Sequence, residues 1–234
     1  MKNYLDFFLE QRMHSADGAE IKDALEAIID EEKKCIELFK IQIRHCQQQI
    51  ALIDEKIAAG WHTRDLIAKK RAFEEQESVL NVAAQIQQCS YETIGIQKLL
   101  YFEKNEGSRE RIAVEASEMM YEWCEDLNEL TGKKYQDISK RLLPEGTLAK
   151  TRIARKKLAD FFSQEKPVLS EIRHNAGAHR EHDFMKQMGV LEGVGWSDTI
   201  ERLHRFEEII LELGKTMKPL MDAGLKKIGE AFGE

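Results

Sequence analysis

Residues 171–183 read EIRHNAGAHREHD, a run that holds three of the chain's seven histidines together with Arg173 and Asn175. A histidine can move a proton near neutral pH. A guanidinium can stabilise charge growing on a phosphoryl oxygen, and an amide can hold a phosphate or orient the histidine. Arg173, His174, Asn175 and His179 therefore make a candidate catalytic set for chemistry at phosphorus. RNA brings its own nucleophile, the 2′-hydroxyl, so such a set needs no metal and no other cofactor. Asp183 lies four residues after His179. On a helix its carboxylate could accept a proton from one ring nitrogen and fix the tautomer. Arg173 and His179 are six residues apart, about 120° from sharing a face of a straight helix. Gly177 between them permits a bend or a helix end.

Two plainer readings stand beside this one. Arg173, His174 and Asn175 are residue types that suit a helix C-terminus, where cations and Asn are favourable. His179, His182 and Asp183 lie at i, i+3 and i+4, and imidazole with carboxylate can hold zinc or iron. Three ligands from one helix leave the shell incomplete, so no metal is expected. The remaining histidines, His14, His45, His62 and His204, stand singly and read as surface or core-edge residues.

The segment IRHNAGAH resembles the signature of HEPN domains, an arginine followed after four to six residues by a histidine. Arg173 matches the arginine, His179 the histidine, and His174 occupies the polar position that Asn often holds. The following arginine and the later His-Asp are similar to the extended form in abortive-infection (AbiU-like) HEPN proteins. The resemblance implies a helical bundle that dimerises, with two motifs facing one cleft. It implies metal-independent endoribonuclease action leaving a cyclic phosphate. It further implies a role in phage defence or a toxin–antitoxin pair, with a cognate antitoxin or a nucleotidyltransferase as partner. A non-catalytic protein- or RNA-binding dimerisation module is the alternative.

The elements that would carry these residues are helical. Ile21, Leu25, Ile28, Cys35, Phe39, Ile43, Cys46, Ile50, Ile53 and Ile57 follow a near-heptad seam with a slip near Phe39. AAGWHT at 58–63 breaks it, and a second long helix runs from about Arg64 to Glu103. Two long helices joined by a short turn predict an antiparallel hairpin. Ser108 is placed to cap a helix through about Leu130, a short helix covers 134–142, and Thr147 opens the next. Pro167 predicts a kink or break near Gln164–Lys166. Ser197 opens a helix to Leu213, and Pro219 a last one. With three prolines, fourteen glycines and no strand alternation, the expected fold is all-α. It is a HEPN-like helical bundle (108–234) extended by a long N-terminal antiparallel hairpin (1–107), packed as one unit.

Net charge is −7, which argues against indiscriminate nucleic-acid binding. Residues 133–157 reverse the sign locally, with nine Lys and Arg against Asp137 and Glu145. Such a run is commonly a solvated helix face. Just ahead of the histidines it also suits phosphate, making Lys150, Arg152, Arg155, Lys156 and Lys157 the candidate RNA contacts. The four cysteines show no C-x-x-C spacing, and Cys35, Cys46 and Cys89 read as small core residues. No apolar run approaches the roughly 20 residues that span a bilayer, so a cytoplasmic protein without membrane contact is expected, and the HEPN resemblance implies that it is a homodimer.

Overall fold

The computed structural model describes residues 16–61, 63–176, 189 and 193–233. Among these the fold is all-α, with six helices and no strand. They are α1 (Ala16–Ala58), α2 (Arg64–Phe102), α3 (Glu106–Leu130), α4 (Lys133–Leu142), α5 (Glu145–Ala176) and α6 (Trp196–Phe232). No described helix is long and apolar enough to cross a membrane. The chain divides into two compact units. Unit 1 draws on residues within 1–33, 89–126 and 157–210, and unit 2 on 34–88, 127–156 and 211–234.

The α1–α2 pair is antiparallel in each unit. In unit 2, Lys70 donates to Asp54 at 2.5 Å and Gln47 to Glu77 at 2.8 Å. In unit 1, Ser90 donates to Glu32 at 3.1 Å and Lys98 to Glu26 at 2.6 Å. Gly60 makes the reversal possible, because its φ of +91° is a left-handed conformation that other residues adopt at a cost. Thr63 then caps α2, its hydroxyl accepting from the Leu66 N–H at 3.3 Å. The inner seam of α1 packs as its spacing requires. In unit 2, Cys46, Ile53, Phe73 and Leu80 are buried, with Phe39, Ile43, Ile50, Ile57, Met221 and Ile228 against them. Each large apolar side chain so buried contributes roughly 1.5–3 kcal/mol. The seam ends earlier than its periodicity suggests, because Ile21 and Ile28 are 38% and 44% exposed.

Three boundaries differ from the sequence reading. Asn105, not Ser108, caps α3, its side-chain oxygen accepting from the Ser108 N–H at 2.9 Å. Pro167 lies inside an unbroken α5. A mid-helix proline costs about 3 kcal/mol, and burial of Leu158, Phe161, Leu169 and Ile172 on both sides of it offsets that cost. Pro219 likewise lies inside a continuous α6, flanked by buried Met217 and Leu220.

Unit 1 centres on Phe161 and Phe206, stacked 5.6 Å apart, with Glu165 accepting from Arg202 at 3.0 Å and Arg205 at 2.7 Å. Cys89 and Cys124 are buried there, and burial pushes the Cys124 thiol up to about 12 and Cys89 well above its usual value. Cys46, in unit 2, is buried and shifted the same way, while Cys35 is only half-buried.

In unit 2 the Glu75 carboxylate, 7% exposed, accepts from Arg71 at 3.2 Å, Arg141 at 2.9 Å and Lys227 at 2.6 Å. Burial alone would raise its pKa. Lys227 and Arg141 together outweigh burial and hold it below the ordinary carboxylate value. The ionised form is therefore favoured by folding, and its contribution is lost as pH falls. Glu75→Gln should cost about 2 kcal/mol at pH 7, less than for a fully buried pair because the three cations reach solvent. In urea denaturation, the gap between wild type and variant should close as pH drops below about 4.

Gly224 of α6 touches Gln76 of α2 so closely that a Cβ there would lie 1.9 Å from the Gln76 side-chain oxygen. Gln76 is itself buried and has little room to move. Gly→Ala inside a helix ordinarily stabilises by up to about 1 kcal/mol. Here Gly224→Ala should instead destabilise by about 1–3 kcal/mol through overpacking, read as a lowered denaturation midpoint.

Candidate functional site

The candidate residues that can be placed all lie on α5. Arg173 is in unit 1, its side chain 29% exposed. Its guanidinium lies over the Tyr121 ring at 4.8 Å from the centroid. One terminal nitrogen is 3.6 Å from Glu122 on the same helix α3. Its Nε is buried and has no hydrogen-bond partner among the described residues. Lys166, about two turns earlier on α5, sits over the same ring at 5.8 Å and over Phe162 at 4.9 Å. Phe162 and Tyr121 meet edge to face at 5.4 Å. Arg173 is thus seated on an aromatic shelf that also carries a second cation.

His174 is exposed and turns back on its own helix. Its Nδ1 faces the Ser170 carbonyl at 2.6 Å and so carries the proton, leaving Nε2 toward solvent. The backbone of Asn175 is helical. Successive helical positions rotate by about 100°, so positions 173, 174 and 175 fan out around α5. Arg173 and His174 are not brought to a common point. The Asn175 side chain, His179, His182 and Asp183 lie outside the described part of the structure. Among the described residues, no group of three or more His, Cys, Asp or Glu could hold a metal ion.

A cleft of about 450 Å³ lies in unit 1 beside α5, lined by Val168, Glu171, Ile172, Val194, Asp198 and Arg202 among others. Positions 168, 171 and 172 sit between about 100° and 200° round the helix from Arg173. The cleft and the Arg173 shelf are therefore on different sides of α5.

The basic run separates by burial. Lys150, Arg152, Lys156 and Lys157 are exposed. Arg152 makes only an exposed ion pair with Glu145 at 2.8 Å, worth little against a competing phosphate. Arg155 is half-buried, and burial lowers its pKa. With the Gln136 amide oriented so that its oxygen faces the guanidinium, that oxygen accepts from both terminal nitrogens at 2.6 and 3.1 Å. Its Nε has no partner. Arg155 belongs to the interior surroundings of Tyr135, another buried polar residue, more than to the exposed face.

Tyr121 and Glu122 escaped the sequence reading. They sit in MMYEWCED, whose apolar character marks a core face and hides a ring that supports a cation. His204 is not isolated either. Its Nε2 meets the Tyr101 hydroxyl, its Nδ1 is 3.9 Å from Glu207, and Gln97 donates to Glu207 at 2.9 Å. Burial, with a smaller contribution from Glu207, pushes Tyr101 up to about 12, so it remains a neutral hydrogen-bond donor. Burial and the Glu207 charge also raise Glu32, against a hydrogen bond from Ser90.

No protein-family model, no curated protein and no solved structure matches this chain.

Arg155→Glu should lower the melting temperature, because it buries a carboxylate among groups arranged for a cation. Arg152→Glu and Lys156→Glu, on the exposed face, should leave it within about 2 °C, since surface changes are usually within ±0.5 kcal/mol. Thermal melts followed by circular dichroism check the contrast.

Proposed function

We propose that the protein is a metal-independent endoribonuclease of the HEPN type, acting in phage defence or in a toxin–antitoxin pair. The observation that supports this most directly is the seating of Arg173. Its guanidinium carbon lies 4.8 Å from the Tyr121 ring centroid, Glu122 approaches one terminal nitrogen at only 3.6 Å, and Nε has no partner among the described residues. A cation held in place but not fully paired retains capacity to stabilise a phosphoryl oxygen. It stands four residues before the GAH that completes the motif. In this reading His179 accepts the 2′-hydroxyl proton as that oxygen attacks phosphorus. The bond to the 5′-oxygen breaks, that oxygen takes a proton from solvent water, and a 2′,3′-cyclic phosphate remains. Asp183 orients His179, and Lys150, Arg152, Lys156 and Lys157 draw the RNA backbone, while His174 and Asn175, which fan away from Arg173 on α5, contact the phosphate only from a second copy. Two copies joined around residues 173–183 would double the set. A cytoplasmic setting and a cognate antitoxin or nucleotidyltransferase fit the same reading.

A second reading, a non-catalytic protein- or RNA-binding dimerisation module, is favoured by His174. Its Nδ1 is spent on Ser170 and its ring lies away from Arg173.

His179→Ala should reduce cleavage of a mixed RNA substrate by about 10²–10⁴-fold, the usual contribution of general acid–base catalysis. Arg173→Ala should be comparably damaging, and EDTA should have no effect. Circular dichroism must show both variants folded. Activity surviving His179→Ala rejects the catalytic assignment. Activity lost to EDTA and restored by zinc would move the chemistry to a metal held by His179, His182 and Asp183. Reversing Arg152 and Lys156 together should weaken RNA binding and flatten its salt dependence.

A further inference from the structure

Two of the chain's three tryptophans are occupied within unit 1. Trp196 is buried, and Trp123 donates to Glu92 at 2.7 Å. Trp61, in unit 2, is 65% exposed. Its backbone is nonetheless held firmly. Around the positive φ of Gly60, the Gly60 N–H donates to the Ile57 carbonyl and the Trp61 N–H to the Lys56 carbonyl, both at 3.0 Å. This paired hydrogen-bond pattern closes a helix C-terminus, and the residue at the place of Trp61 ordinarily packs back on the last turn. An exposed indole on a fixed backbone offers a rigid aromatic face at little entropic cost. Here it walls a cleft of about 620 Å³ at the α1–α2 turn, with Ala59 and Leu66 among the lining residues. That volume suits a small organic ligand.

Four charged side chains line the same cleft, Glu55 and Lys56 from α1 and Asp65 and Lys69 from α2. Lys70, next in sequence, is paired with Asp54 at 2.5 Å. Neither Lys56 nor Lys69 has a carboxylate within ion-pair distance among the described residues. The Lys69 ammonium lies over the Phe232 ring, 4.2 Å from its centroid, and Phe232 meets buried Phe73 edge to face at 6.1 Å. The ring orients that ammonium without neutralising it. These groups discriminate between ligands. Glu55 and Asp65 would repel an anionic membrane surface. A peptide strand would find no free backbone edge, since the helices on both sides bond internally. A nucleotide matches each group in turn. Its flat base can stack on the indole, its phosphate can take the ammonium groups, and an exocyclic amino group can donate to a carboxylate.

We propose that this cleft binds a nucleotide, its base stacked on Trp61, its phosphate held by Lys69 and Lys56, and an exocyclic amino group donating to Glu55 or Asp65. The site is built wholly from unit 2 and does not rest on the ribonuclease reading. A free mononucleotide and one residue of an RNA strand offer the same chemistry. The test titrates the intact chain with AMP, with UMP and with a short 2′-O-methyl oligoadenylate, which has no free 2′-hydroxyl and so resists cleavage. Tryptophan emission reports the stacking, since Trp61 is the exposed indole, and calorimetry gives the affinity. AMP should quench saturably. UMP, which has no exocyclic amino group, should bind at least about fivefold more weakly. Trp61→Ala should weaken AMP binding about five- to a hundredfold, and Trp61→Phe much less. Lys69→Gln should weaken both AMP and the oligonucleotide and lower the salt slope of the latter by about 0.7. Circular dichroism checks that each variant is folded. Equal affinity for AMP and the oligonucleotide assigns the site to free nucleotides. Tighter oligonucleotide binding that Trp61→Ala removes assigns it to RNA, and either result supports the proposal. No quenching by either probe, an affinity unchanged by Trp61→Ala, or UMP bound as tightly as AMP overturns it. So does a response to phosphatidylglycerol vesicles alone. Whether His179 cleaves RNA alters none of these results.

Discussion

A helix turns each residue about 100° from the last, and this constraint governs what the candidate site can be. Every described candidate lies on α5. Neighbouring residues there cannot act on one point from one straight segment. Arg173 meets Tyr121 and Glu122 on α3, while His174 folds back to Ser170. The same rotation divides the basic run, turning Arg155 inward toward Gln136 while Arg152 and Lys156 stay in solvent. Chemistry at residues 173–179 therefore depends on the path of the chain beyond Ala176 or on groups brought by another molecule.

Arginine seated on an aromatic ring is well suited to such a position. The guanidinium is planar and weakly hydrated, so placing it over the Tyr121 ring costs little desolvation. Lysine in its place would keep the charge and lose the plane. Lys166 over the same ring adds a second positive charge, which Glu125 meets only at 3.8 Å. Electrostatically, this end of α5 presents two ring-supported cations to Glu122 and Glu125 of α3.

Helix type and the hairpin were legible because they rest on periodicity. The spacing of Cys46, Ile53 and Ile57 locates the inner seam of α1, and AAGWHT marks the turn with the glycine that φ demands. The prolines misled because their cost is local and known, while the burial that offsets it comes from residues distant in sequence. Pro167 and Pro219 each interrupt one backbone hydrogen bond inside helices held by many contacts. The Arg173 half of the candidate set was legible as a motif. Its partners were not, since nothing in a tyrosine within an apolar run tells whether its ring faces core or cation. His204 shows the same limit: a lone histidine in sequence becomes part of a hydrogen-bonded group once Tyr101 and Gln97 approach from α2.

The cysteines carry a practical corollary. Thiolate, not thiol, reacts with alkylating reagents, and burial suppresses it at Cys89, Cys124 and Cys46. Their modification must wait for the surrounding structure to open. Cys89 and Cys124 belong to unit 1, Cys46 to unit 2. The native chain thus has built-in clocks for each unit, and alkylation rates at these thiols would report local opening free energies separately. Half-buried Cys35 would supply the fast reference against which both are timed.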